Sequence, residues 1–330
     1  MGSAIKEKMF ENPKLEIISD TGSYTNNQPL AASFLRTLIY FDIFSYPLTR
    51  QEIFEYSSIK SFELQEGIIT LEYLIEHRLI SNYLGYYFIG NDWDKVAQRV
   101  AGNKMASKRM KNARFFSGII ASFPFTRGVY ISGSLSKGYM DENSDIDYFI
   151  LTSPNRLWLC RTLLILFKKI FLLNSHKNFC INYLVDTDNL EIKERNIYTA
   201  TEVALLLPMY NYKLFKQFLK ENSWVKEYYP NLKQNETLSV KGLPRLKKIT
   251  EKMLDNRLGD KLDNFFFKTT SRYWENKHKK IDVTKPESEL VWYKHVSQYN
   301  PRHFRLNVLN RFREKIIEFE SQTGFAVGEC

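Results

Sequence analysis

The chain has 330 residues, enough for two or three domains, each with a core of its own. Its 44% apolar and 15% aromatic content excludes a disordered protein, and 14 glycines with 10 prolines leave little room for a long flexible linker. A formal charge of +10 favours polyanionic partners: nucleotides, nucleic acid or anionic surfaces.

Residues 1–30 are polar and mixed in charge, and read as a mobile lead-in rather than a secretory signal. In 31–90 the pattern turns helical. Leu35, Leu38, Ile39 and Ile43 recur at helical spacing up to Pro47. Thr49, with Glu52 at the third helical position, opens a short second helix through a capping box. A third helix is predicted with Leu64, Ile68, Leu71 and Ile75 on one stripe, followed by a hairpin that turns at Gly85. Three helices and a hairpin make a winged-helix-like module. Its third helix carries Glu63, Glu66, Glu72 and Glu76, which favours a protein partner or a structural role over reading DNA.

Residues 91–123 read as one long linker helix. Between 95 and 114 it has seven Lys/Arg and no acid, with Lys104, Lys108 and Lys111 on one face. Either a solvated face or a phosphate-facing one fits.

In 124–195 strands and helices alternate: strand 128–132, a short helix 134–140, strand 145–152, helix 155–173, strand 178–186. Helix 155–173 is too charged to cross a bilayer, with Arg161, Lys168 and Lys169 expected to reach out to solvent along a core helix. Cys160, Cys180 and Cys330 are widely spaced, with no CxxC and no histidine cluster, so neither a disulfide framework nor a zinc site is expected, and a reducing cytoplasm is. His176 reads as a helix-end residue, and His278, His295 and His303 as solvated residues of a basic tail. Residues 196–330 are expected to be helical and basic, with 13 Lys/Arg against 6 Asp/Glu between 241 and 285. Trp224, Tyr228 and Tyr229 suit a helix packing face.

The chemistry concentrates in residues 130–151, "YISGSLSKGYMDENSDIDYFIL". Gly133 and Ser134 end a strand and start a helix, where free N–H groups suit a phosphate. Asp145 and Asp147 share one face of the next strand, roughly 6–7 Å apart, and their hard oxygens suit Mg²⁺. An anion cradle beside paired carboxylates is what a metal–triphosphate complex requires.

Gly133-Ser134, ten residues, then Asp145-Ile146-Asp147 between apolar runs resembles the signature of nucleotidyltransferases with a DNA polymerase beta-like core. The resemblance covers about 128–190, and the chain also looks like bacterial nucleotidyltransferase-domain proteins that carry an N-terminal winged helix. It implies an α+β fold: a core with a small mixed sheet, preceded by the winged-helix-like module and followed by a helical domain. It further implies that Gly133 and Ser134 hold the β- and γ-phosphates of an NTP and that Lys137 adds a charge there. Asp145 and Asp147 would ligate two Mg²⁺ ions, with Mn²⁺ as a substitute.

Active members of that family carry a third carboxylate, where this chain has Asn182. Asn182, Asp186 and Glu202 therefore remain the candidates for the remaining catalytic position. Two functions follow from the resemblance. One is transfer of a nucleoside monophosphate to an acceptor hydroxyl, on RNA, another anionic acceptor or a small molecule. The other is an inactive, nucleotidyltransferase-like binding protein that docks protein or DNA through its N-terminal module. No membrane partner is expected.

Overall fold

Helix Gln28–Asp42 (α1) forms because Leu30, Phe34, Leu38 and Phe41 recur three and four residues apart, and all four are buried. It opens the part of the chain that the computed structural model describes: residues 28–235, 238–277, 290–299 and 304–328. Leu48–Thr49 (β1) follows. The capping box then starts Arg50–Tyr56 (α2), with the Glu52 amide donating to the Thr49 hydroxyl at 3.3 Å and the Thr49 amide to the Glu52 carboxylate at 2.8 Å.

Leu64–Glu76 (α3) is rotated from its expected stripe. It buries Gly67, Thr70, Leu71 and Leu74, while Leu64 and Ile75 are exposed. Gly67 sets this rotation, because a Cβ there would lie 2.7–2.8 Å from the rings of Phe54 and Phe62. Ser81–Tyr83 (β2) and Tyr86–Phe88 (β3) complete a three-stranded antiparallel sheet in the order β1-β3-β2.

Asp94–Ser122 (α4) is one continuous helix, as its pattern predicts. Some of its cations turn inward. Lys95 pairs with Asp42 at 2.7 Å, and Arg99 with Glu52 at 2.7 Å, with its guanidinium 3.6 Å from the Tyr46 ring centre. Lys104, Lys108 and Lys111 are exposed, as a solvated face would be.

The second sheet takes its strands from Thr126–Ser132 (β4), Asp147–Thr152 (β5) and Cys180–Asp186 (β6). A short turn of helix, Gly133–Ser136 (α5), follows β4, and Leu157–Phe171 (α6) is the crossover that parallel strands β5 and β6 require. Beyond them come Ile197–Ala204 (α7), Leu207–Tyr210 (β7), Tyr212–Glu221 (α8), Val225–Tyr228 (α9), Pro244–Leu254 (α10) and Arg257–Lys277 (α11). Leu290–Tyr293 (β8), Val296–Tyr299 (β9) and Phe304–Thr323 (α12) follow. The sheet order is β7-β4-β5-β6-β9-β8, antiparallel except for β5–β6.

The fold is therefore α+β with a mixed sheet, and the expectation of a wholly helical 196–330 is corrected. Strands β7, β8 and β9 have four residues each, too short to show a strand period. Both faces of the central strands are covered, which explains their continuous apolar runs. Tyr130, Phe149 and Leu151 face a cluster that includes residues of α1, α7, α8 and α12, whereas Ile131, Tyr148 and Ile150 face one that includes residues of α4, α6 and α11.

Among the described residues no helix is long and apolar enough to cross a membrane. In α6 the expected solvated edge holds only in part, because Lys168 is buried. Cys160 is a core residue, and Trp224 and Tyr229 are buried packing residues, as expected. Cys330, His278 and His303 lie outside the described residues.

Candidate active site

At the end of β4 the backbone enters Gly133 with φ +66°, a conformation that favours glycine. A Cβ at that position would lie 2.3 Å from Oδ2 of Asp147. The glycine is what lets the β4–α5 turn approach the carboxylate so closely. The register places Ser132 opposite Asp147, so the turn and the acid are fixed by one strand pairing.

Strand β5 begins at Asp147, and Asp145 lies in the segment before it, not within the strand as expected. Backbone pairing nevertheless reaches back to Ile146, whose amide donates to the Lys177 carbonyl and whose carbonyl accepts from the Cys180 amide. Ile146 is fully buried, and the two aspartates flanking it both line one cavity of about 880 Å³.

Gly133, Ser134, Lys137, Asn182 and Glu202 line the same cavity. The Glu202 carboxylate, carried by α7, accepts from the Lys137 ammonium at 2.7 Å and from the Gly133 amide at 3.4 Å. The Lys137 ammonium also donates to the Gly133 carbonyl at 3.0 Å. Arg161, Lys168 and Lys169 of α6, with Lys277 of α11, give the cavity a cationic side. Phe41, Phe44, Tyr46, Tyr198 and Phe304 give it an aromatic one.

Burial pushes the Asp147 carboxyl up to about 6, with the Glu202 and Asp145 carboxylates adding to the rise; a hydrogen bond from the Cys180 thiol and the charge of Lys137 pull it back. The Cys180 thiol is itself pushed up by burial and by Asp147. Burial pulls Lys168 down, and it pulls His176 down together with the nearby Lys168 charge. A cation at the carboxylates would offset both the burial that chiefly raises Asp147 and the repulsion from Glu202 and Asp145 that adds to it. The hard oxygens of Asp145 and Asp147 therefore fit Mg²⁺.

Asn182 enters the cavity through an irregularity in β6. Pairing passes from Tyr148 opposite Ile181 to Phe149 opposite Tyr183, which leaves Asn182 as the extra residue of a bulge. Asp186 is not at the site. It pairs with Thr152 at the far end of β6 and accepts from the Asp188 amide at 3.2 Å and the Asn189 side chain at 2.7 Å, so it is a turn residue.

Two residues at the cavity escaped the sequence reading. His176 and Cys180 come together with Asp145, one ligand atom from each lying within 4.8 Å of the other two. Their spacing of four residues across a loop matches no metal motif, and only the parallel pairing of β5 with β6 brings them to Asp145. His295 is half-buried, and its carbonyl accepts from the Asp186 amide, so it is not a solvated tail residue.

No protein-family model matches the chain, and neither a curated protein nor a solved structure matches it.

Proposed function

We propose that the chain is a Mg²⁺-dependent nucleotidyltransferase, with a polymerase beta-like core, that moves a nucleoside monophosphate from an NTP to an acceptor hydroxyl. The observation that carries this reading is the meeting of Gly133, Ser134, Asp145, Asp147 and the Lys137–Glu202 pair in one cavity large enough for a nucleotide.

Ser134 and Lys137 would bind the phosphates, with the Gly133 turn allowing close approach. Asp145 and Asp147 would hold the metal, two Mg²⁺ ions or Mn²⁺ in their place. When bound, the metal supplies charge neutralisation at the phosphates and a lowered pKa for the attacking hydroxyl. Glu202 would take the proton of that hydroxyl as the hydroxyl oxygen bonds to the α-phosphorus. The bond from the α-phosphorus to the bridging oxygen breaks, and that oxygen leaves with pyrophosphate. The aromatic side of the cavity suits the base, and the cationic side an anionic acceptor such as RNA.

The test is incubation with each labelled NTP, Mg²⁺ or Mn²⁺, and total RNA or phosphorylated small molecules. The reading requires incorporation that Asp145→Ala abolishes while the protein stays folded.

Asn182 at the position of the third carboxylate favours a second reading, a nucleotide-binding protein without turnover. Its N-terminal helices and sheet would then be the docking part, a winged helix. The exposed Glu63, Glu72 and Glu76 of α3 suit a protein partner better than DNA. Nucleotide binding without incorporation for any NTP would select this reading.

A further inference from the structure

Beside the carboxylate pair, the loop between α6 and β6 brings in donors that hard Mg²⁺ does not call for. A ring nitrogen of His176, the Cys180 sulfur and an Asp145 oxygen all lie within 4.8 Å of one another. Nitrogen, sulfur and one carboxylate oxygen form a donor set for a borderline transition cation, not for Mg²⁺ or Ca²⁺. We propose that Asp145, His176 and Cys180 form a site for a divalent transition ion of the Zn²⁺ class, adjoining the Asp145–Asp147 pair.

Tetrahedral zinc, with bonds of about 2.0–2.3 Å, places its donors roughly 3.5 Å apart. The three atoms, at most 4.8 Å apart, therefore need to close by no more than about 1.3 Å, and two of the ligands lie outside regular strand structure. Asp145 precedes its strand, and His176 is an exposed loop residue. Cys180, the first residue of β6, is the fixed ligand, half-buried and paired in register with Asp147.

The Lys168 ammonium stands 3.3–3.4 Å from the His176 ring nitrogens. It is the cation of this corner when no metal is there. Asp145, His176 and Cys180 all line the cavity, so water or a phosphate oxygen from it would complete the ion's shell. The proposal shares Asp145 with the nucleotide reading but does not depend on it, because metal binding here needs no NTP.

The experiment titrates the full, metal-free, reduced chain with Co²⁺ and then displaces it with Zn²⁺, in the absence of nucleotide and in excess Mg²⁺. The expected result is one equivalent of Co²⁺ giving tetrahedral visible bands and a sulfur-to-cobalt charge-transfer band, all lost on adding Zn²⁺. Cys180→Ser should remove the charge-transfer band. His176→Gln, an exposed change that leaves the core untouched, should keep that band but weaken Co²⁺ affinity by about tenfold or more. Wild-type protein that shows no charge-transfer band, or that binds Co²⁺ with the same spectrum and affinity after either substitution, overturns the proposal. Because no nucleotide is present, failure here leaves the nucleotidyltransferase reading standing, and success does not establish it.

Discussion

The Glu202 carboxylate holds the Lys137 ammonium at 2.7 Å, joining a helix that follows the core strands to the turn that follows β4. Both groups are partly buried, with 26% and 16% of their side chains exposed. The lysine proposed to bind phosphate therefore has a resident counter-ion, and the carboxylate proposed as the base is held against the backbone of Gly133.

Glu202→Gln separates these roles. It keeps the shape and a hydrogen-bond acceptor, frees Lys137 from its anion and removes the base. Incorporation of label should fall by about 10²-fold or more. NTP affinity should hold or improve, as read by equilibrium binding. A matching loss of affinity would make Glu202 a positioning residue for the cradle instead.

The Asp147 carboxyl, raised to about 6, makes a statement about stability. Between its unfolded value and about 6 the folded chain binds the extra proton, so this group's stabilising effect is complete at low pH and is lost as pH rises through 6. Metal-free Asp147→Asn should therefore be more stable than wild type at about pH 8, by about 1–3 kcal/mol, and the gap should close towards pH 4. Added Mg²⁺ should stabilise wild type and leave the variant unmoved. Paired urea melts at the two pH values, with and without Mg²⁺, check both parts.

Glycine at 133 is required twice over, by φ +66° and by the nearness of Asp147. Gly133→Ala should cost about 1–3 kcal/mol in a denaturant melt. It should also cut NTP affinity, because the turn or the carboxylate must move. Gly85, also at positive φ but with no atom within 4 Å of a Cβ, is the control. Gly85→Ala should carry only the backbone cost and leave NTP affinity unchanged.

These positions also show what was legible in the sequence. The turn at Gly133 and the two aspartates could be read because they are local: a few residues at fixed offsets on one hairpin of strands. The Thr49 capping box and the single helix α4 were legible for the same reason. Glu202 was visible only as one candidate among three, since its partner Lys137 is 65 residues away and only the β4–β7 pairing brings α7 back. Asp186 lies four residues past Asn182, which carries it to the far end of β6 beside Thr152 and away from the cavity. His176 and Cys180 could not be paired with Asp145 without the parallel β5–β6 register. Strands β7 to β9 were missed because four residues carry too little periodicity to outweigh the helical stretches around them.

Arg99 gives the last prediction, about how the N-terminal helices are held to the cavity. Its guanidinium donates to the Glu52 carboxylate and the Pro47 carbonyl, each at 2.7 Å, and to the Asn103 side chain at 2.9 Å, and it covers the Tyr46 ring. Tyr46 in turn donates its hydroxyl to the Lys137 carbonyl. Removing this buried cation leaves the Glu52 carboxylate without its counter-ion, so Arg99→Ala should cost about 3–5 kcal/mol. Arg99→Lys should not rescue it, because a single ammonium cannot match a planar fork with three acceptors. The comparison is Arg195, paired with Glu191 at 2.9 Å where both side chains are more than half exposed, and Arg195→Ala should cost under about 1 kcal/mol. Thermal and urea melts of the three variants test this order. Arg99→Met, which restores packing without the charge, should recover part of the stability, and on the proposed reading it should not recover NTP affinity, because Tyr46 donates to the Lys137 carbonyl.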